Sequence, residues 1–239
     1  MSIFVVKRLR KAASELLLAG ESNDIASFIR DRYGILVNPE ADIECLRMLK
    51  DSLNYVSPEL VKECGIKGLD FEDLGPSKEY YPNHGVYRDN GTLVLNIQLL
   101  DDPLLIAEAD SGRAMNKFDQ TLYHEMGHGF DHEHRVSDKE DGDLSLQKEW
   151  MGISKWSKEP KPGLHRIRIK DKGTPELVGE YYFSPDAKFT RFYGKRNPYD
   201  DWADCFSYYV AGLRSFLPED KLKYFDKRIK KFSPEDKKK

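Results

Sequence analysis

Apolar residues recur every three or four positions along the first third of the chain, which is the spacing of one face of an α-helix. The pattern predicts two short helices over residues 4–19 and 24–33, with Gly20 and Gly34 as stop signals. A third helix is predicted over about residues 40–53, where four apolar side chains share one face after a proline. This part of the chain is therefore expected to be mainly helical.

The helical spacing then gives way to short runs of strand-forming residues. Residues 84–88 and 92–97 flank Asp-Asn-Gly at 89–91, a sequence that favours a tight turn. This arrangement predicts an antiparallel hairpin. Residues 165–170 also alternate apolar and polar side chains, but prolines and glycines interrupt the stretch around them, from 139 to 188, where loops or a lid are expected.

Helical spacing returns twice in the second half of the chain. Residues 116–132 carry apolar side chains every four positions, at Phe118, Leu122, Met126 and Phe130. Asn197 and Pro198 form a helix start, an N-cap followed by a proline at the first helical position. These elements predict an α+β fold with a small mixed sheet, in which the hairpin supplies an edge strand that packs on helix 116–132.

Composition and charge exclude several classes of protein. Of the 239 residues, 39% are hydrophobic and 33% are charged, which is typical of a soluble, compact chain. The formal net charge is −3, so neither nucleic acid nor a membrane is an expected partner. No apolar run approaches the ~18 residues of a membrane span, and the N-terminus lacks a secretory signal pattern. The protein is expected to be cytoplasmic as synthesised, with delivery outside the cell by another route left open.

Cysteine usage agrees with a reducing compartment. Cys45, Cys64 and Cys205 are far apart and odd in number. This pattern argues against a disulfide framework and against a cysteine-rich metal site.

Residues 124–128 read His-Glu-Met-Gly-His, in the middle of the predicted helix 116–132. Histidines four residues apart project from one face of a helix and can share a tetrahedral metal ion. Glu125 lies one step round the helix, where its carboxylate can act on a water molecule rather than bind the metal. Gly127 and Gly129 each cost about 1 kcal/mol in mid-helix relative to alanine, so another segment is expected to approach closely there.

A catalytic zinc site needs a third protein ligand and an open fourth position. Asp200, in the first turn of the later helix, is one candidate, and Asp204 follows one turn on, placed to accept the second ring N–H of a ligating histidine. His134 is another candidate, because it lies ten residues after the first histidine, as in a three-histidine site, although Asp131 replaces the glycine of that motif. Asp201 is also near enough in sequence to compete. The residues alone leave these alternatives open.

The segment 193–206 resembles the C-terminal motif of the anthrax lethal factor-like and Pro-Pro endopeptidase metallopeptidases. In that motif Tyr-Gly is followed by Asn and then by two glutamates four residues apart, downstream of His-Glu-x-x-His. The matching residues here are Tyr193, Gly194, Asn197, Asp200 and Asp204. The resemblance covers about residues 80–215, and both glutamates of the motif are aspartates in this chain, each shorter by a methylene group.

The resemblance implies a zincin-like fold and a gluzincin-type zinc metallopeptidase. The implied Zn²⁺ ligands are His124, His128 and Asp200. Glu125 would be the general base and Tyr193 would stabilise the oxyanion. Asp204 would hydrogen-bond to a ligating histidine without binding the metal itself. A protein or peptide is the implied substrate.

These observations predict three parts of the chain and one preferred function. The parts are a mainly helical region over 1–75, a zinc metallopeptidase region over 76–225 and a basic tail over 226–239. The preferred function is that of a zinc-dependent endopeptidase. The alternatives are a metzincin-like peptidase with His134 as third ligand, and a catalytically weak, zinc-stabilised structural or binding protein.

Overall fold

The computed structural model describes residues 3–75, 84–100, 105–108, 114–137, 142–170 and 177–232. Seven α-helices and nine short strands lie within these residues, so the fold is mixed α+β, as the sequence predicts. The helices are α1 (Ile3–Tyr33), α2 (Ile43–Leu53), α3 (Pro58–Glu63), α4 (Lys117–Glu133), α5 (Lys148–Ile153), α6 (Pro198–Val210) and α7 (Glu219–Ile229). The strands are β1 (Leu36–Val37), β2 (Gly68–Glu72), β3 (Gly85–Tyr87), β4 (Thr92–Asn96), β5 (Leu105–Glu108), β6 (Ala114–Asn116), β7 (Trp156–Ser157), β8 (His165–Lys170) and β9 (Leu177–Phe183). None of the helices in the described ranges combines the length and apolar composition that a membrane span requires.

Helix α1 is continuous over 31 residues, where the sequence predicts two helices separated at Gly20. No other group lies within 4 Å of the position that a Cβ atom at Gly20 would occupy. A single glycine in such an open position weakens a helix by about 1 kcal/mol, which does not stop it. Gly34 does end the helix, with a left-handed backbone (φ +75°) that glycine adopts readily.

The main sheet has four strands in the order β1-β2-β4-β3. The predicted hairpin is confirmed, because β3 and β4 pair antiparallel with Val86 opposite Val94. On the other side of β4, β2 runs parallel to it, and β1 runs parallel to β2. These two strands lie in the region predicted to be mainly helical. Strand β1 has two residues, too few for an alternating pattern, and the alternation of apolar and polar residues over the five residues of β2 was not recognised as a strand signal.

Helices α4 and α6 pack closely at Gly127. A Cβ atom added to Gly127 would lie 3.0 Å from the Cα atom of Ala203 and 3.2 Å from the Cβ atom of Phe206. Gly129 is covered by a different segment, since an added Cβ atom would overlap the carbonyl oxygen of Cys64. Both mid-helix glycines are therefore places of close approach, as the sequence predicts. The contact at Gly127 brings α6 alongside the part of α4 that carries the two histidines.

Gly127→Ala is expected to destabilise the protein by about 1–3 kcal/mol, because the added methyl group would press on the backbone of α6. Equilibrium unfolding in urea measures this change. Gly20→Ala is the matched control, since it also lies in a helix interior but in open space. There the same substitution should stabilise the protein by up to about 1 kcal/mol. Equal effects at the two positions would contradict the packing argument.

A second sheet occupies much of the stretch in which the sequence predicts loops or a lid. Strand β9 pairs antiparallel with β7 on one side and with β8 on the other. The buried residues beneath this sheet form a small cluster of their own: Leu146, Met151, Trp156 and Tyr181. The loop prediction was wrong for β7, β9 and α5. Pro160, Pro162 and Gly163 lie between β7 and β8, so these breakers mark the connection and not the strands.

Residues 226–232 lie in regular structure, although the sequence analysis assigned them to a basic tail. Residues 226–229 complete α7, and a 3-10 turn (Lys230–Phe232) follows. Ile229 is buried in the main core, and Lys227 and Arg228 contact Glu149 at 3.1 and 2.7 Å. A run of basic residues was therefore a poor guide to the boundary, because some of them belong to an amphipathic helix. Lys237 to Lys239 lie outside the described residues.

The main core joins the predicted helical region 1–75 to the predicted peptidase region 76–225. Ile29 and Leu46 pack in the same buried cluster as Leu122. The pairing of β2 with β4 also crosses the predicted boundary. The two parts therefore share one hydrophobic core, which supports the face of α4 opposite the histidines.

Candidate metal centre

The start of α4 is fixed by a capping box. The side chain of Asn116 accepts the N–H of Asp119 at 2.8 Å, and the side chain of Asp119 accepts the N–H of Asn116 at 3.2 Å. The helix is regular from this point to Glu133. His124 and His128 therefore lie one turn apart on the same face.

The start of α6 positions the third candidate ligand. Asn197 caps the helix, because its Oδ1 accepts the N–H of Asp200 at 2.7 Å. Its Nδ2 also donates to Oδ2 of Asp200 at 2.7 Å. One residue thus sets both the backbone and the carboxylate of Asp200. The other oxygen of that carboxylate, Oδ1, faces the histidines of α4.

Three ligand atoms converge between the two helices. Nε2 of His124 and Nε2 of His128 are 3.1 Å apart, and each lies 3.6 Å from Oδ1 of Asp200. Ligand atoms at ~2.0–2.2 Å from a tetrahedral ion are separated by roughly 3.3–3.6 Å. Both histidine–aspartate separations agree with this range and the two histidine nitrogens are slightly closer together, so these three atoms could hold a metal ion. This largely buried His-His-Asp group is the one cluster of its kind among the described residues.

Asp204 lies behind the ligands and holds His124. Its Oδ1 is 2.9 Å from Nδ1 of His124 and 2.6 Å from Nη2 of Arg191. Burial lowers the pKa of His124, but hydrogen bonds to Asp200 and Asp204 outweigh burial and raise that pKa to about 9. Burial would raise the pKa of Asp200, yet hydrogen bonds from the two histidines hold it well below its usual range. Asp204 therefore contacts one of the two candidate ligand histidines.

Glu125 faces the edge strand β3. Its Oε2 accepts the N–H of Tyr87 at 3.0 Å. A Cβ atom on Gly85 would lie 2.7 Å from Cγ of Glu125, so glycine is what allows the strand to come this close. Glu125 lines the same cleft as the three candidate ligands without belonging to their convergent group. Its carboxylate is thus held beside the centre by the sheet edge.

Tyr193 stands against the first histidine. Its ring centroid is 5.5 Å from that of His124, with the rings nearly perpendicular. Arg196 donates from Nη1 to the hydroxyl oxygen of Tyr193 at 2.6 Å. Because arginine only donates, this bond uses a lone pair of the hydroxyl oxygen and not its proton. Burial raises the pKa of Tyr193, so the hydroxyl group keeps that proton at neutral pH.

Within the described residues, cavities border the centre on two sides. Glu125, Tyr193 and the three candidate ligands line a cleft of about 460 Å³. A second cavity of about 670 Å³ reaches His128 and Asp200 from the side of the three-stranded sheet.

Two other candidate ligands point elsewhere. Nε2 of His134 is 2.9 Å from Oε2 of Glu63, and its ring stacks on Phe130 at 4.1 Å. Asp201 is fully buried, and its two carboxylate oxygens lie 2.5 and 2.7 Å from Nζ of Lys221. The alternative with His134 as the third ligand does not agree with this geometry, and Asp201 does not compete for that position.

Arg191, Arg196 and Lys117 are cleft residues that sequence reasoning did not identify. The two arginines flank Tyr193, with their guanidinium carbons 5.2 and 4.7 Å from its ring centroid. Neither their spacing nor their residue type forms a motif. The path of the chain just before α6, and not a sequence motif, brings the two arginines into the cleft.

Comparison of the chain with protein-family models, with curated proteins and with solved structures finds no match. The class of the protein is therefore defined by its own fold and site. It is a mixed α+β protein in which two packed helices present a buried His-His-Asp group that can hold a metal ion.

Proposed function

We propose that the protein is a zinc-dependent endopeptidase with a zincin-like, gluzincin-type fold. The observation that carries the proposal is the convergence of His124, His128 and Asp200 next to a carboxylate, Glu125, that is not in the ligand group. Two imidazoles and one carboxylate suit zinc in catalytic sites, where a fourth position stays open. A metal site that only stabilises a fold has no use for the additional carboxylate.

Zinc, when bound, supplies the Lewis acidity that activates water and polarises a carbonyl group. Glu125 then accepts the proton of the attacking water on a carboxylate oxygen and passes it to the nitrogen of the leaving amine. The N–H of Tyr87 orients that carboxylate through Oε2. Tyr193 donates its hydroxyl proton in a hydrogen bond to the oxyanion as charge develops. Asp204 keeps His124 oriented through Nδ1.

A peptide is the substrate that best suits this cleft. Among the described strands, β3 forms one edge of the main sheet, and it borders the cleft. Extended peptides add to such edges by main-chain hydrogen bonds. The cavities on both sides of the centre accommodate residues before and after the reacting bond. Cleavage within a chain, rather than at its end, agrees with that openness.

Metal content and peptide cleavage, measured on the same preparation, test the proposal. The purified protein is expected to hold about one zinc ion per chain and to cleave members of a random peptide library. Removal of zinc with a chelator should abolish cleavage, and addition of zinc should restore it. A protein that holds zinc but cleaves no peptide would instead favour a zinc-stabilised structural or binding protein. A protein that binds no metal would contradict both functions.

A further inference from the structure

The turn that precedes α6 brings the side chains of Tyr193 and Arg196 together. The turn is a 3-10 helix over Tyr193–Arg196, and side chains three residues apart in a 3-10 helix lie on the same side. Arg196 donates from Nη1 to the hydroxyl oxygen of Tyr193 at 2.6 Å. Its guanidinium carbon also lies 4.7 Å from the centre of the tyrosine ring. One arginine therefore contacts both the hydroxyl group and the ring of the proposed oxyanion donor.

Arg196 is in turn held by the first turn of α6. Its Nε lies 3.9 Å from Oδ2 of Asp200, one helical turn further along the chain. The same oxygen accepts the side-chain amide of Asn197 at 2.7 Å, whereas Oδ1 of Asp200 lies 3.6 Å from the two histidine nitrogens. A single guanidinium group thus contacts the candidate metal ligand and the phenol. Its position is fixed from both sides.

The bond from Arg196 constrains what the hydroxyl group of Tyr193 can do. Because arginine has no acceptor, the hydroxyl oxygen receives this bond with a lone pair, and its proton points to a different acceptor. Accepting a bond from a charged donor also polarises the O–H group, which strengthens the hydrogen bond that the group donates. Both effects suit a hydroxyl group that must donate to an oxyanion as charge develops.

We propose that Arg196 is a positioning residue that orients the hydroxyl group of Tyr193 toward the oxyanion and strengthens the hydrogen bond between them. Arg196 acts through Tyr193 and not on the substrate itself. The inference rests on the proposed function for the statement that an oxyanion forms in the cleft. It adds a residue to the proposed machinery and assigns it an effect on the transition state rather than on substrate binding.

Binding of a tetrahedral oxyanion tests this role without turnover. The probe is a panel of short peptides in which a phosphinate group replaces one peptide bond, because its charged oxygens stand in for the tetrahedral intermediate. The full-length protein loaded with zinc is titrated with each member, and calorimetry gives the dissociation constants. The member that binds most tightly to the wild type is then used for every variant. Zinc content is measured on each preparation.

Arg196→Met should weaken phosphinate binding by about tenfold and leave the zinc content unchanged. Tyr193→Phe removes the donor itself and should weaken binding by roughly 10²-fold. In the Tyr193→Phe background, Arg196→Met should cost less than about threefold, because the hydroxyl group through which Arg196 acts is gone. The full tenfold loss in that background would overturn the proposal, since Arg196 would then act on the oxyanion directly. Loss of zinc from Arg196→Met would also overturn it, since the residue would then act through Asp200.

Steady-state kinetics on a cleaved library peptide give a second readout. Arg196→Met should lower kcat by about tenfold and keep KM within about twofold of the wild type, because the oxyanion exists only in the transition state. A rise in KM with unchanged kcat would show that Arg196 binds the substrate. That result would contradict a positioning role.

Arg214→Met is the matched control for the loss of an arginine beside a tyrosine. The guanidinium carbon of Arg214 lies 4.6 Å from the ring centre of Tyr209. The hydroxyl group of Tyr209 donates to Asp226, and neither Arg214 nor Tyr209 lines the cleft. Phosphinate binding and kcat should stay within about twofold of the wild type. A tenfold loss at Arg214 would attribute the effect to overall charge and not to the contact with Tyr193.

The failure of this inference and the failure of the proposed function give different results. If the wild type cleaves peptides but Arg196→Met costs the same with and without the hydroxyl group of Tyr193, the positioning role falls and the peptidase stands. If a phosphinate binds with the expected dependence but the wild type cleaves nothing, the peptidase falls and the positioning role stands. If no phosphinate binds and no peptide is cleaved, both are wrong.

Discussion

Replacing Glu125 by glutamine should lower the rate of peptide hydrolysis by roughly 10²–10⁴-fold and leave the zinc content unchanged. Glutamine has the same shape and can still accept the N–H of Tyr87, so the side chain should keep its place. It has no carboxylate with which to take a proton from water. Because Glu125 is outside the group of convergent ligand atoms, its loss should not release the metal. Initial rates on a cleaved library peptide and metal analysis of the same sample measure both effects.

Glu133→Gln is the matched control for this result. Glu133 is the last residue of α4 and does not line the cleft. The same change of charge on the same helix should therefore leave the cleavage rate within about twofold of the wild type. If Glu125→Gln were as active as Glu133→Gln, the assignment of Glu125 as base would be wrong. The zinc-stabilised binding protein would then be the better description.

The helices and the hairpin that form the candidate site were predictable because their sequence signals lie within a few neighbouring residues. The helix start at Asn197 depends on a cap and a proline within a few residues, and the hairpin turn depends on three residues at 89–91. The spacing of His124 and His128 is a property of a single helix turn. Such features do not need the rest of the fold, so sequence reasoning could identify them. The position of Asp200 at a helix start, with Asp204 one turn on, already made it a candidate ligand, and the structure brings it to the two histidines.

The elements that sequence reasoning missed depend on distant partners. Strand β1 has two residues and becomes a strand only because β2 pairs with it. Gly20 was interpreted as a stop, although a glycine in open space merely weakens a helix. Arg191 acquires a role because Asp204 lies 2.6 Å away after the turn before α6 has formed. For β1 and Arg191 the deciding contact is tertiary, and no spacing in the sequence records it.

The short side chain of Asp200 reaches the histidines because two contacts help it. Gly127 allows the backbone of α6 at Ala203 to approach α4 more closely than any larger residue would. Asn197 then holds one carboxylate oxygen, which leaves Oδ1 at 3.6 Å from both histidine nitrogens. An aspartate can therefore serve at this position if the helix pair is tight. A longer glutamate at residue 200 would need a wider separation of the helices.

The largest effect on stability is expected from Lys221→Met. Lys221 is 1% exposed and forms a buried ion pair with Asp201, which is fully buried. The partner also accepts the indole N–H of Trp156 at 3.2 Å, so the pair links α7, α6 and β7. Removing one member of a buried pair leaves an uncompensated charge and typically costs about 3–5 kcal/mol. Urea unfolding should show a loss of that size.

The double variant Asp201→Asn with Lys221→Met tests how much of the lost free energy of unfolding comes from an unpaired buried charge and how much from the ion pair itself. Methionine fits the apolar surroundings, because Nζ of Lys221 lies 5.1 Å from the ring centroid of Trp150. With no charge left unpaired, the double variant should regain most of the lost stability, since buried pairs are often no more stabilising than neutral replacements of similar volume.

Lys223→Met, on the same helix but in an exposed pair with Glu219, should change the free energy of unfolding by less than about 1 kcal/mol. A loss at Lys221 no larger than at Lys223 would mean that Asp201 gives up its charge or reaches water when its partner is removed. The start of α6, and with it Asp200, would then be held by the Asn197 cap and core packing rather than by this ion pair.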